Sequence, residues 1–410
     1  MTYDARLIEE TLRRAGRALG EGDHSRANRL LQRLHAAGHA SAESHRMLAT
    51  IGAELGLFDH AIRHADDARR LQPPSDGRER FLVIRAWGAG FWADVSHTVI
   101  GLAFAEASGR TPIIHWGREC RYRRGGIEDA WRLYFEPVSP HTIATAEQGG
   151  LSIFPPKWSK ANLREIRVNK ETGEWSSLSG LYLLKRDEDV AVYDFFTELD
   201  ELVPWLPPEH PLVTDFEAGF GQLYRRYVRL APQLSEDLAR FEARLITRRP
   251  TIAAHFRTQG PEKISESSDG KAIGPESLAG PIDRFLAANA DAGVYLMTDF
   301  APAVAYFRDR YGDRLSCREV TRIKTPEERS LEIHQRYDGV MLGREVVLDT
   351  FLAARCDAFV GDGASGVSWA VRLLKDWPEG TVTLLRKQPV DLARPIRNHA
   401  DPSAWWNPPA

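Results

Sequence analysis

Between positions 251 and 385 short apolar runs alternate with amphipathic stripes, and this alternation restricts that part of the chain to an α/β fold with a parallel sheet. The pattern predicts strands at 251–256, 293–298, near 315–320, 357–361 and 381–385, and helices at 276–289, 301–311, 344–355 and 365–375. Ligands bind outside the carboxyl ends of the strands in such sheets. Here those ends carry His255 and Arg257, then Thr298 and Asp299, then the turn Asp362-Gly363-Ala-Ser365-Gly366. The planar fork of an arginine makes two parallel charge-assisted hydrogen bonds to an oxyanion, so Arg257 is a candidate clamp for a phosphate or diphosphate. A surface ion pair is the competing reading. The loop that follows, with Gly260 and Pro261, offers Glu262 and Glu266 as candidate bases. Ser365 opens a helix from a glycine-rich turn, which is either an anion site on free backbone N–H groups or an ordinary N-cap.

The segment before it is also α/β. A strand at 81–87, a helix at 95–108 and a strand at 111–116 form a βαβ unit. Gly88-Ala-Gly90-Phe-Trp-Ala93 matches the dinucleotide fingerprint in form, but the second strand ends His115-Trp116-Gly117, without the acidic residue that would hold a ribose. A nicotinamide dehydrogenase is therefore disfavoured, and the glycines imply close backbone approach to a ligand or a helix. Residues 118–211 mix basic and aromatic side chains, among them Arg121, Tyr122, Arg124, Trp131 and Tyr134, which suits either a carbohydrate or phosphate groove or a packed surface. An amphipathic stretch at 214–245, with a break expected at Pro232, links two α/β halves whose cleft would take a nucleotide-linked ligand.

Residues 3–73 carry helical stripes only: Leu7, Leu12, Ala15 and Leu19; Ala27, Leu30, Leu31 and Leu34; Met47, Leu48, Ile51 and Leu55; Ala61, Ala65, Ala68 and Leu71. The phrase Leu19-Gly20 with Asp23-His24 returns as Leu55-Gly56 with Asp59-His60, 36 positions on. That period and the placement of Phe58, Ala61, Ala65 and Pro73 resemble the tetratricopeptide repeat, whose unit is about 34 residues. Two units are short for a solenoid, so the segment is expected to dock on the next domain or on another subunit, as a protein-partner, self-association or acceptor surface or as a helical cap. The break Gln72-Pro-Pro-Ser-Asp-Gly77 sets the expected domains at 1–76, 77–246 and 247–410.

Composition narrows the function classes. With 410 residues, 43% of them hydrophobic, and 11 Trp, the chain can bury large cores. A formal charge of -3 gives no electrostatic footprint for nucleic acid. The first residues lack the apolar core of a signal peptide and no window is apolar enough to span a bilayer, so a cytoplasmic protein without a membrane span is expected. Cys120, Cys317 and Cys356 suit neither a disulfide framework nor a zinc site, and small buried packing is their expected role.

His255-Phe-Arg257, Tyr295-Leu-Met-Thr298-Asp299, His334-Gln-Arg336-Tyr337, Val346-Val-Leu-Asp349 and Ser365-Gly-Val367 occur in the order of motifs of the α1,6-fucosyltransferases, and over roughly 81–374 the chain resembles that group. The resemblance implies a GT-B type architecture, two Rossmann-like halves facing a cleft, here preceded by the all-α tetratricopeptide-like domain. It implies an inverting glycosyltransferase that uses GDP-fucose without a metal or other cofactor. The acceptor would be a glycan, peptide or natural product. By the same resemblance Arg257 holds the donor diphosphate, His255, Asp299 and Asp349 help surround GDP, Ser365 lies near the phosphates, and Gly88 and Gly90 form the loop after the first strand. The family commonly has a further basic residue after His-x-Arg where Thr258 stands, and the loop holding Glu262 and Glu266 does not align cleanly, which leaves the base open. A transferase with another donor sugar, or a catalytically silent scaffold with a transferase-like body, are the alternatives.

Overall fold

A computed structural model describes residues 4–55, 57–71, 78–154, 158–165, 188–193, 210–257, 273–325 and 336–386. Glu262, Glu266, His334 and the proline break at 72–77 lie outside the described residues. The chain opens with four helices, α1 (Ala5–Gly20), α2 (His24–Ala36), α3 (Ala42–Glu54) and α4 (Phe58–Leu71). Asp4 and Asp23 start the first two by accepting from the Leu7 and Arg26 amides at 2.8 and 2.9 Å, which satisfies N–H groups that have no partner inside a helix. Their apolar stripes meet in one core of Leu12, Ala15, Leu19, Ala27, Leu31, Leu34, Leu48 and Ile51. The tight packing of α3 on α4 needs a glycine, because a Cβ at Gly52 would stand 3.1 Å from the Ala61 nitrogen. Ala49 and Ala61 join the core of the following α/β half, so the helices dock on it.

That half is built on a parallel sheet of order β2-β1-β4-β3, from β1 (Phe81–Arg85), β2 (Thr111–His115), β3 (Ile153–Phe154) and β4 (Val190–Tyr193). Helix α5 (Phe91–Ser108) crosses from β1 to β2, and α6 (Ile143–Ala146) is a single turn. Thirteen residues of α5 are buried, as expected of a helix that is apolar on every side and covered on every side. The helix starts at Phe91, not at 95, and β1 stops at Arg85, not at 87. The reason is Asp94, whose carboxylate accepts from the Gly88 and Ala89 amides at 3.1 and 3.0 Å and folds the intervening turn back onto the helix start. Gly88, at φ +74°, supplies the left-handed backbone of that turn.

The link is three helices, α7 (Pro211–Thr214), α8 (Phe216–Tyr227) and α9 (Pro232–Leu245), and Pro232 opens the last of them. A second parallel sheet follows, of order β7-β6-β5-β8-β9, from β5 (Thr251–Phe256), β6 (Gly293–Thr298), β7 (Leu315–Ser316), β8 (Ala358–Asp362) and β9 (Val382–Leu385). Its helices are α10 (Glu276–Ala288), α11 (Ala301–Tyr311), α12 (Gly339–Ala354) and α13 (Gly366–Leu374). Two bounds differ from expectation by more than one residue. Helix α12 begins at Gly339 rather than 344, because Asp338 caps the amides of Val340 and Met341 at 2.8 and 3.2 Å. Strand β7 pairs over only two residues, and Arg318, just past its end, is a ligand of α12 rather than a strand residue. Cys120 and Cys356 are buried as expected, whereas Cys317 is half-buried, and all three are free thiols. The architecture is thus two α/β halves behind a helical segment, held together by one core that runs from α5 through α8 to α12 and α13. Among the described residues no helix is long and apolar enough to cross a membrane.

Candidate active site

Strand register builds one wall of the cleft. Phe256 pairs with Thr298, so the residues that follow, Arg257 and Asp299, leave adjacent strand ends side by side. Their side chains form an ion pair, Arg257 Nη1 to Asp299 Oδ2 at 2.9 Å. On the other flank His255 pairs with Gly361 of β8, which sets Ser365 and the start of α13 beside the same strand end. His255 Nδ1 lies 2.8 Å from Ser368 Oγ in the first turn of that helix. The opposite wall is the start of α5, where a Cβ at Gly366 would come within 3.7 Å of Trp92 Cβ. Trp92 itself donates from Nε1 to Thr350 Oγ1 of α12 at 2.9 Å and ties the two halves together.

Between these walls lies a cavity of about 300 Å³, lined by Gly90, Phe91, Trp92, Tyr122, His255, Arg257, Thr298, Asp299, Thr321, Glu345, Asp349, Ser365 and Gly366, among others. Its apolar floor and few convergent polar groups fit the general form of a small-molecule site. One end is basic. Arg257 is about one-third exposed and uses Nη1 for its partner, so the rest of the fork can meet an oxyanion. Ser365 makes no side-chain capping bond to α13. The first amides of that helix, which have no intrahelical acceptor, therefore add a partial positive charge at the same place. The turn before it is fixed, since Arg386 Nε reaches Asp362 Oδ1 at 3.2 Å and the Ala364 amide donates to the same oxygen at 3.0 Å.

The other end is acidic. Asp349, in the middle of α12, accepts from Tyr295 Oη and Arg318 Nη1, both at 2.9 Å and both on Oδ1. Burial nonetheless raises its pKa, with the Arg318 charge acting against that rise. Glu345, one helical turn earlier on the same face, accepts from the Thr321 amide at 3.0 Å, and burial raises its pKa as well.

Of the residues singled out in the sequence, Gly90, His255, Arg257, Asp299, Asp349 and Ser365 line this one cavity. Gly88 stands apart, with its amide donated to Asp94. Asp94, a further carboxylate near the glycine loop, is fully buried and committed to that turn. Sequence reasoning passed over Glu345, Thr321, Trp92 and Arg318. Glu345 had a signal, because it precedes Asp349 by four positions in a helical stripe.

His255 carries a consequence for stability. Burial, the largest cause, lowers its pKa from 6.5 to about 4, with Asp299 and Arg257 acting in opposite directions. The folded value lies below the unfolded one, so its contribution to stability is present above pH 6.5 and lost as pH falls toward 4. A shift of that size is worth about 3 kcal/mol in full, and roughly 2 of that is lost by pH 5. The urea midpoint should fall between pH 7.5 and pH 5, and less steeply in His255→Gln. An unchanged slope in that variant would assign the acid lability to other groups, such as His115, which burial and Arg85 bring down to about 3.

No family model and no curated protein matches the chain. Among solved structures, the fucosyltransferase NodZ from Bradyrhizobium is similar to it at 18% identity, over 73% of this chain and 94% of that one, with a TM-score of 0.48. POFUT1 in its apo form is similar at 12% identity, over 76% and 99%, with a TM-score of 0.44.

Proposed function

We propose that the chain is an inverting glycosyltransferase whose donor is a nucleoside diphosphate sugar, GDP-fucose. The observation that carries this is the convergence of Arg257 and the uncapped start of α13, from adjacent strands, on one end of a cavity whose other end holds carboxylates. A diphosphate seats at the basic end. Guanine presents adjacent N1–H and N2–H donors, which a carboxylate accepts, and Asp349 or Glu345, both lining the cavity, is the proposed acceptor. Uracil and thymine offer one such donor between two acceptors and match less well. Residues of four of the five sequence motifs, His255 and Arg257, Thr298 and Asp299, Val346 and Asp349, and Ser365 to Val367, line this cleft, which supports the reading.

In the reaction a base takes the proton of the acceptor hydroxyl as its oxygen attacks the anomeric carbon. The bond from that carbon to the diphosphate breaks, and the electron pair leaves on GDP. Arg257 and the α13 amides face the charge that grows there, which is the kind of preorganised stabilisation that lowers the barrier. With that neutralisation supplied by the chain, the proposal requires no metal in the cleft. Glu262 and Glu266 follow the clamp in sequence and remain the proposed bases, with Glu266 favoured because it lies farther along the loop. The helical segment is proposed as the acceptor or partner surface.

A thermal-shift panel tests the donor. GDP should raise the melting temperature more than UDP or dTDP, since a ligand at about 100 times its Kd adds roughly 2.7 kcal/mol. Stabilisation by UDP or dTDP with none by GDP would remove the fucose donor and leave a sugar transferase of other specificity.

A further inference from the structure

Away from the cleft, the helical segment brings three histidines and a carboxylate together. His45 on α3 and His64 on α4 place their Nδ1 atoms 2.9 Å apart, and Asp67, one turn beyond His64, sets Oδ2 3.8 Å from His45 Nδ1. All three ligand atoms lie within 4.8 Å of one another. Ligands about 2.0–2.1 Å from a tetrahedral zinc ion stand about 3.3 Å apart, so the three atoms already lie close to the corners of one coordination sphere. We propose that His45, His64 and Asp67 bind one divalent transition-metal ion of the zinc class, which clamps α3 to α4, with water as the fourth ligand. The Asp67 side chain is 39% exposed and that of His45 11%, so the site is open on one side and closed on the other, as an ion keeping one water requires.

The His35 ring lies tilted against that of His45, centroids 4.5 Å apart, with its Nε2 held 2.7 Å from Ser44 Oγ, and so backs the site without entering it. Without an ion two neutral imidazoles share a single proton at the point where the third ligand also converges, an arrangement that a divalent cation satisfies better. Cysteine spacing in the sequence pointed away from zinc, and a histidine pair 19 positions apart, on two helices, matches no short metal motif.

The inference does not rest on the proposed donor. Tag-free full-length chain, stripped with chelator, is titrated with Zn²⁺ and separately with Co²⁺. One equivalent of zinc should remain after desalting, and Co²⁺ should give the intense visible bands of a four-coordinate ion. His64→Gln and Asp67→Asn should each weaken zinc binding by at least about tenfold, while His141→Gln, in the first α/β half, leaves it unchanged. The far-UV circular dichroism spectrum and urea midpoint of each variant, compared with the parent's, report whether the rest of the chain is intact, and zinc binding by the parent is read independently of any variant. No retained zinc in the parent, six-coordinate cobalt, or equal binding by a His45→Gln/His64→Gln chain overturns the proposal.

Discussion

On the proposed function, Arg257→Lys should lower sugar transfer at least tenfold while leaving the fold intact. Lysine keeps the charge but loses the planar fork, so it can serve Asp299 or the diphosphate and not both in fixed geometry. In the parent, Asp299 takes Nη1 at 2.9 Å, and Arg257 lines the same cavity as Ser365 and Gly366 at the start of α13. One charge-assisted contact is worth about 1.5–3 kcal/mol, and each 1.36 kcal/mol of barrier is a factor of ten. Little stability is at stake, because the side chain is one-third exposed and its only described ion-pair partner sits in the cleft. Steady-state rates at saturating donor, with melting temperatures as a control, provide the measurement. Parent-like turnover in both Arg257→Lys and Arg257→Ala would move the diphosphate site to another part of the cleft.

The legible part of this site was the part governed by strand ends. His255, Arg257, Asp299 and Ser365 sit next to apolar runs of strand length, and parallel register carries them to one edge whatever the loops do. Asp349 was reached by motif order, since a carboxylate in the middle of a helix has no local signal that separates a buried one from a solvated one. What local patterns could not carry was long-range pairing. Arg318 meets Asp349 across 31 positions, and Trp92 meets Thr350 across 258. The glycine turn divides, with Gly90 lining the cavity and Gly88 turned to the chain itself. Gly88 looked like a ligand loop, but the acceptor for its amide is Asp94, six residues on, so the loop's donor is used within the chain. The N-terminal stripes identified four helices and their order, while the convergence of His45 with His64 depends on how α3 packs on α4, which periodicity does not specify.

Arg318→Met should be the most destabilising single change near the cleft, by about 3–5 kcal/mol, because it leaves a buried carboxylate without its counter-charge. Arg318 is 7% exposed, donates from Nη1 to both Asp349 Oδ1 and the Glu345 carbonyl at 2.9 Å, and lies with its guanidinium 4.5 Å from the centre of the Phe241 ring. Methionine replaces the volume and the contact with Phe241 but none of the hydrogen bonds. Tyr295 then remains as a hydrogen-bond donor to Asp349 and Arg322 as a nearby charge, while Asp349, whose pKa burial already raises, loses the charge that opposes that rise most strongly. The pH dependence of the deficit follows in sign. A carboxyl whose folded pKa lies above its unfolded value stabilises the fold at low pH and loses that contribution as pH rises, so the gap between Arg318→Met and the parent should be wider at pH 8 than at pH 5. Adding Asp349→Asn to Arg318→Met should recover part of the loss, since a neutral amide needs no counter-ion, and contacting residues are expected to be non-additive. Urea denaturation of the parent, both single variants and the double variant at the two pH values closes the cycle. A deficit that is independent of pH, together with strict additivity, would show that Arg318 acts through packing on Phe241 and that Asp349 does not depend on its charge. GDP binding by the double variant then separates the two duties of Asp349: if the carboxylate receives the guanine donors, the double variant regains stability without regaining the GDP-induced thermal shift.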